Sequence, residues 1–500
     1  MRYLLFLLFY FSVSPLLGQP NDVKRDFQWL VGYKDSVEKT VINLLDFNET
    51  GLAPVITPFQ VLDGALPSRS IAVICDTSGH VLLYTNGCNI LNKSAEIISN
   101  GDQVTPDSWV YENFCPDYYR FTGSWLFLPD PAKDSLYYLF AIGHSEGTGD
   151  GLYAWGLYAS HLSEDEVIEK NALVCADSIF GGHLTACRHA NGRDWWILMN
   201  KISTNKYYKY LLDPSGIHYM DIQGIGMPSA WGGSGSGQCA FSPDGTTFIH
   251  YENVADMFVY DFDRCTGQLS NFKHINIEHN EDTGNSFGGM AISPNSRFAY
   301  TFGYLHAFQA DLQAPDLQAS VTQVAYWDST FVFAWKTTFG KAALAPNGKI
   351  YSAVPGANPY LHVIHNPNAK GDSCQFAQHE LFLPYSWNNN DIVNYPNYRL
   401  GSMEGSACDS VFTGLKEHEQ ATDIQIVPNP NNGNFQISLP SGIITDWNFE
   451  LFDLNGRSQW QSSTPNDFVQ ISDIPSGFYF LICSNKLDGR KVAKRLVIQK

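Results

Sequence analysis

Phe241-Ser242-Pro243-Asp244-Gly245, Ile292-Ser293-Pro294-Asn295-Ser296 and Leu344-Ala345-Pro346-Asn347-Gly348 each sit between two apolar runs. Their prolines are 51 and 52 residues apart. The phase runs backward through three further turns. His189-Ala190-Asn191-Gly192 precedes Trp195 to Leu198, Pro131-Ala132-Lys133-Asp134 precedes Leu136 to Phe140, and Cys75-Asp76-Thr77-Ser78-Gly79 precedes Val81 to Tyr84. Proline presets φ for a tight turn, and Asn-Gly or Asp-Gly completes it. Each turn joins a small apolar strand to a longer aromatic one. A third strand often follows, as in Met257 to Phe262 and Leu361 to Ile364, and then a fourth, as in Phe272 to Ile277.

Four strands in a unit of about 50 residues is the signature of a β-propeller. One blade cannot bury both its faces, so blades must stack into a closed ring. Six blades are visible. Strand-like segments remain at the front (Trp29 to Tyr33, Val41 to Leu45) and at the back (Asn397 to Gly401). Closing the ring with strands from both ends predicts seven blades, six being the alternative. The expected class is all-β, with the propeller over residues 27–408. The Ser-Pro-Asp-Gly turn resembles those of WD40-like and TolB-like propellers, which implies a scaffold and no particular reaction. Tyr84-Thr85-Asn86-Gly87, His189 to Trp196, Asp263-Arg264-Cys265-Thr266-Gly267, and Asn397 to Gly401 with Cys408-Asp409 resemble a group of exported propellers to which no reaction attaches.

The chain's last segment reads differently. Ile426-Val427-Pro428-Asn429-Pro430-Asn431-Asn432-Gly433-Asn434-Phe435 opens it, Asp453-Leu454-Asn455-Gly456-Arg457 lies in the middle, and Ile474-Pro475-Ser476-Gly477-Phe478-Tyr479 follows. Lys494-Arg495-Leu496-Val497-Ile498-Gln499-Lys500 closes it. Proline bars helix extension, Asn432-Gly433 and Asn455-Gly456 supply turns, and Asn434 to Leu439 alternates polar and apolar. Roughly seven strands in so short a span suggest a small Ig-like β-sandwich. Residues 424–500 resemble a type A C-terminal sorting domain, the signal read by type IX secretion in Bacteroidota. Pro428, Asn429, Pro430, Gly433, Asn455, Gly456, Gly477 and Tyr479 carry the resemblance. It implies the type IX machinery as a partner and secretion or surface display as the destination. The family often has an aromatic residue where Val427 stands.

Residues 1–18 read as a secretory signal peptide. Arg2 precedes an apolar run from Leu4 to Leu17, and Gly18 precedes polar Gln19-Pro20-Asn21-Asp22. The run is short for a transmembrane helix, and no other stretch approaches one. Residues 409–423 are polar, lack periodicity and read as a linker. Formal charge is −19. The terminal segment is near neutral, so the acidity lies in the body and argues against a nucleic-acid partner. Ten cysteines in an exported chain point to disulfides. Cys75–Cys88 and Cys175–Cys187 are the pairs expected from neighbouring strands.

Catalytic motifs lose their context on inspection. Gly143-His144-Ser145-Glu146-Gly147 matches G-x-S-x-G, but the glycines after it leave no room for the helix a nucleophile elbow needs. Gly232 to Gly237 lacks the Lys-Ser/Thr of a phosphate cradle. Zinc-type Cys/His spacing is absent, and no metal site or cofactor is expected. Calcium is the one cation that Asp261 and Asp263, or Glu281 and Asp282, could take. Aromatic residues crowd the expected inter-blade connections: Trp109, Tyr111, Tyr118 and Tyr119 in one, Trp231 in another, Trp387 and Tyr395 in a third. Such rings suit a glycan or protein ligand at the propeller face, and equally blade-to-blade packing. The reading is an exported binding module with no catalytic residue. The alternative is a polysaccharide-active hydrolase or lyase, which would need convergent carboxylates.

Overall fold

The computed structural model describes residues 24–500 apart from 33–39, 63–70, 107–110, 116–123, 146–153, 180–182, 230–236, 253–255, 278–287, 410–423, 439–445, 454–456, 463–467, 487–490 and a few single positions. The chain divides into two compact units, Met1–Asp409 and Ser410–Lys500.

The first unit is a propeller of seven antiparallel blades: residues 28–60, 72–92, 125–176, 185–224, 238–275, 289–326 and 342–382. Blades 3 to 7 have four strands in chain order, and blades 1 and 2 have three among the described residues. The repeated turn works as its sequence demands. In blade 5 the Ser242 amide donates to Thr247 O at 2.8 Å and Gly245 N–H donates to Ser242 O at 2.7 Å. Ser242 Oγ accepts the Thr247 amide at 3.0 Å. Gly245 takes φ +73°, the left-handed region that glycine enters freely. Adjacent turns also touch, since the Asp244 amide donates to Ser296 Oγ of blade 6 at 3.1 Å.

Blades stack through alternate residues of the same strands. Trp195 and Ile197 of blade 4 pack on Leu126, Phe140 and Leu157 of blade 3. Trp196 and Leu198, one residue along, pack on Phe248, Phe258 and Tyr260 of blade 5. This is the period of two that sends successive side chains to opposite faces. Both faces are buried, so these strands read as continuous apolar runs. Ile249 and Tyr251 meet Met290 and Ile292 between blades 5 and 6. Tyr300 and Phe302 meet Ile350 and Ile364 between blades 6 and 7. Ile74 and Leu83 meet Phe127 and Leu139 between blades 2 and 3. Tyr351 and Val363 of blade 7 share one cluster with Trp29 and Leu44 of blade 1 and Val73 and Tyr84 of blade 2, which closes the ring. Asn43 bolts this closure: its amide donates to Val31 O at 3.0 Å and Ser386 O at 2.8 Å, and its oxygen accepts the Tyr385 amide at 3.0 Å.

Two expectations are corrected here. Asn397 to Gly401 is not a blade strand, because blade 1 is built entirely from N-terminal strands, Gln28–Val31, Val41–Asp46 and Val55–Gln60. The disulfides are Cys88–Cys115 and Cys265–Cys408, with Cα separations of 5.7 and 5.6 Å. Cys75, Cys175 and Cys187 are buried free thiols. Cys75 lies at the turn end of its strand, opposite Val81, whereas Cys88 follows the far end of the partner strand Val81–Thr85. Cys175 packs between blades 3 and 4, while Cys187 points the other way, between blades 4 and 5.

The second unit has two sheets. Gln425–Val427, Asn434–Ser438 and Phe468–Gln470 form one. The other, in spatial order, is Ser458–Ser462, Trp447–Asp453, Gly477–Asn485 and Lys491–Ile498. Phe435, Ile437, Trp447, Phe449, Leu451, Leu481 and Leu496 fill the space between them.

Candidate functional site: a filled channel and an aromatic edge

The channel is occupied by the chain itself. Residues 392–403 cross it, and their polar side chains reach the inner strands of several blades. Asn394 Nδ2 donates to Trp125 O at 3.2 Å and Leu184 O at 3.0 Å. Tyr395 OH donates to Gln28 O at 3.0 Å, Asn397 Nδ2 to Pro243 O at 2.7 Å, and Tyr398 OH to Phe127 O at 2.7 Å. Arg399 pairs with Asp26, the Met403 amide donates to Ala190 O at 2.8 Å, and Cys408 is bonded to Cys265. Blades 1, 3, 4 and 5 are thereby tied to one segment.

What remains is a cavity of about 290 Å³ beside this segment. Its walls are the inner strands of blades 5, 6 and 7, including Cys239, Met290, Ile292, Ala342 and Leu344, together with Val393 to Asn397. Among the described residues of the lining, Asp26 is the one carboxylate, and Arg399 holds it. Burial pushes the Asp26 carboxyl up, with the Arg399 guanidinium pulling it the other way. Tyr395, expected on an exposed connection, is held inside this channel, and burial pushes its hydroxyl well above the ordinary tyrosine range.

Trp387 is placed differently. It stacks on Phe333, with ring centroids 5.2 Å apart and planes at 29°. Phe333 sits at the turn of a two-stranded hairpin, Phe331–Val332 with Trp335–Lys336, inserted between the outer strand of blade 6 and the inner strand of blade 7. It takes φ +53°, a strained conformation for an aromatic residue, and is 78% exposed. Phe331 and Trp335 are 54% and 53% exposed. Phe331 leans on Trp327, whose ring also carries the Lys336 ammonium 4.8 Å from its centroid. Trp335 covers Gly356, where a Cβ would come within 3.1 Å of the indole. Tyr326, Phe382 and Tyr385 are exposed along the same edge. Asp328 and His379 pair across it at 2.7 Å and supply polar groups beside the rings.

The hairpin residues escaped the sequence reading because Phe331-Val332-Phe333-Ala334-Trp335 is a continuous apolar run, which reads like a strand buried on both faces. Trp109, Tyr118, Tyr119 and Trp231 lie outside the described residues, as do Glu281 and Asp282. Asp263 spends its carboxylate on its own turn, accepting the Cys265 amide at 2.8 Å and the Thr266 hydroxyl at 2.8 Å. Ser145 ends the strand Tyr137–Ser145, which pairs with Ala154–Leu162 as the second and third strands of blade 3, and the rest of the G-x-S-x-G motif lies outside the described residues.

Behind the edge, His362 is fully buried. Its Nδ1 accepts the His379 amide at 2.9 Å and its Nε2–H donates to Thr338 O at 3.1 Å, so the ring is held neutral. Burial pushes its pKa down to about 4, and nearby His379 adds to this while Asp328 opposes it. The unfolded chain binds this proton more readily. The contribution is therefore complete above about pH 6.5 and is lost as pH falls toward 4, a loss of about 3 kcal/mol. Denaturant unfolding from pH 7 to 4 is expected to show this slope, and His362→Gln, which can keep both hydrogen bonds, to flatten it. Equal slopes for the two proteins would refute the assignment.

In the second unit, the residues of the terminal motifs hold the last strand. Asn429 Oδ1 accepts the Val497 amide at 2.8 Å, and Asn431 and Val497 bond through the Asn431 amide at 2.9 Å. Gly433, at φ +97°, lies so close to Ile471 O that a Cβ would sit 2.4 Å from it. Tyr479 OH donates to Pro475 O at 2.8 Å, and Gly477 pairs with Ile498. Asn455 and Gly456 lie outside the described residues, between strands that pair as a hairpin.

Residues 425–499 match the family model described as the secretion system C-terminal sorting domain. A search of the curated proteins gives no match. Solved structures similar to the chain include a functionally unknown protein from Desulfotomaculum acetoxidans DSM 771, with 13% identity, a TM-score of 0.41, and coverage of 74% of this chain and 99% of that one. A protein from Lactobacillus plantarum follows at 12%, 0.37, 89% and 98%. PorZ, a surface component of the type IX secretion system of Porphyromonas gingivalis, follows at 13%, 0.27, 92% and 68%. Likenesses this distant carry no argument, and the fold rests on the chain's own sheets. No helix among the described residues is long and apolar enough to cross a membrane. The protein is a β-propeller, exported to the cell surface or secreted, that carries a type IX secretion C-terminal sorting domain at its end.

Proposed function

We propose that the propeller is a binding module for an extracellular glycan and that the aromatic edge between blades 6 and 7 is its platform. The observation that carries this reading is Phe333, exposed and backbone-strained, yet stacked on Trp387. Folding gains little from an exposed ring, and strain of this kind persists where function retains it. Flat ring faces beside Asp328, His379 and Tyr385 suit a sugar, which offers apolar C–H faces and hydroxyls together. The channel supports binding over turnover, because glycoside hydrolysis uses two carboxylates and, among the described residues, the cavity lining offers Asp26 alone, already paired.

A glycan array probed with the labelled full-length protein tests the proposal. Binding is expected, and Phe333→Ala or Trp387→Ala should weaken it roughly 30-fold, the effect of losing a contact worth about 2 kcal/mol. Phe333→Ala should leave the melting curve unchanged. Absence of glycan binding, capture of proteins alone, or unchanged affinity in both variants would overturn it. So would hydrolysis of a polysaccharide panel by the purified protein.

A further inference from the structure

A side chain from the approach to blade 4 meets two from one hairpin of blade 5. His183 precedes the inner strand of blade 4, Cys239 lies on the inner strand of blade 5, and His250 is its cross-strand partner. One ligating atom from each lies within 4.8 Å of the others, and all three residues are buried. We propose that this cluster is a structural zinc site that clips blade 4 to blade 5.

The donor set has the chemistry for it. Two imidazoles and a thiol suit zinc, and zinc–ligand bonds of about 2.0–2.3 Å would draw the ligand atoms together by roughly 1 Å. The surroundings orient the rings as metal-ligating histidines require. His183 Nδ1 lies 2.9 Å from Asn200 Oδ1, which puts the proton on Nδ1 and the lone pair a cation would take on Nε2. Asn200 is itself held, donating to Ser229 Oγ at 3.2 Å. His250 Nε2 lies 2.9 Å from Glu252 Oε1, a buried carboxylate–histidine pair. Its Nδ1 lies 2.9 Å from Tyr207 OH. That hydroxyl can yield Nδ1 to a cation, because it keeps Tyr260 OH at 2.9 Å as a partner. Room is made by Gly237, where a Cβ would stand 3.0 Å from His183 Nε2. The channel cavity, which Cys239 lines, gives a path of entry. On binding, Cys239 releases its proton to solvent and coordinates as the thiolate, and a water or small anion fills the fourth position.

The other buried free cysteines of the described chain are not in such a group. Cys187, in the same blade 4–blade 5 interface, is therefore the control. Full-length protein loaded with zinc and desalted should hold one zinc per chain by elemental analysis. Cobalt loading should give visible d–d bands and a near-ultraviolet thiolate-to-cobalt transition. Cys239→Ala should lose both the transition and the metal, His183→Gln should lose the metal, and Cys187→Ala should keep all of them. The melting temperature should rise on zinc addition in the wild type and in Cys187→Ala only. Absence of metal from the loaded wild type, or a thiolate transition that survives Cys239→Ala, would overturn the proposal. If Cys239→Ala does not fold, the cobalt spectrum of the wild type and the metal content of His183→Gln decide it by themselves.

Discussion

Replacing Cys265 and Cys408 together by serine is expected to lower the stability of the propeller by about 5 kcal/mol. The bridge spans 143 residues, and closing a loop of that length removes about this much chain entropy from the unfolded state. It fastens the far end of the segment that crosses the channel. Tyr398→Ala should cost about 3–5 kcal/mol on its own, since the ring is fully buried against Trp195 and its hydroxyl reaches Phe127 O. Denaturant unfolding of the oxidised protein and both variants measures these losses. Variants that unfold at the wild-type midpoint would show that the segment merely lies on the ring and does not hold it.

Removing residues 424–500 is expected to abolish delivery to the surface or medium while the propeller still folds. A point change should do nearly as much. Gly433→Val places a branched side chain at φ +97° and against Ile471 O, which destabilises a small sandwich by well over 1 kcal/mol. The fraction of protein reaching the surface or supernatant of a secretion-competent cell is the readout, with the melt of residues 20–410 as the control. Undiminished export of the truncated chain would contradict the role given to this domain.

The ring was legible in the sequence because its turns are local chemistry repeated in phase. Ser242-Pro243-Asp244-Gly245 and its kin declare a turn from four residues, and their spacing declares the blade. The sorting domain was legible for the same reason, from Pro428-Asn429-Pro430 to Gly477-Phe478-Tyr479. Illegible features depend on which blades are neighbours in space. Asn397 to Gly401 looks like a strand because Tyr398 and Leu400 alternate with polar residues. It crosses the channel with the residues before it, because Asn394, Tyr395, Asn397 and Tyr398 find carbonyls on or beside the inner strands of blades 1, 3, 4 and 5. Cys265 and Cys408 are joined by that crossing, which no strand pattern shows. His183, Cys239 and His250 lack any motif spacing, since each belongs to a different strand or its approach. Phe333 carries no mark in the sequence that separates an exposed ring from the buried ones around it.

The most direct test of a ring that binds at its edge and fills its own channel is hydrogen–deuterium exchange with and without a glycan selected on the array. Slowed exchange in residues 326–336 and 382–388, with residues 238–241, 289–292 and 342–345 unchanged, is the predicted result. Protection confined to those three inner strands would place the ligand in the channel and contradict the account.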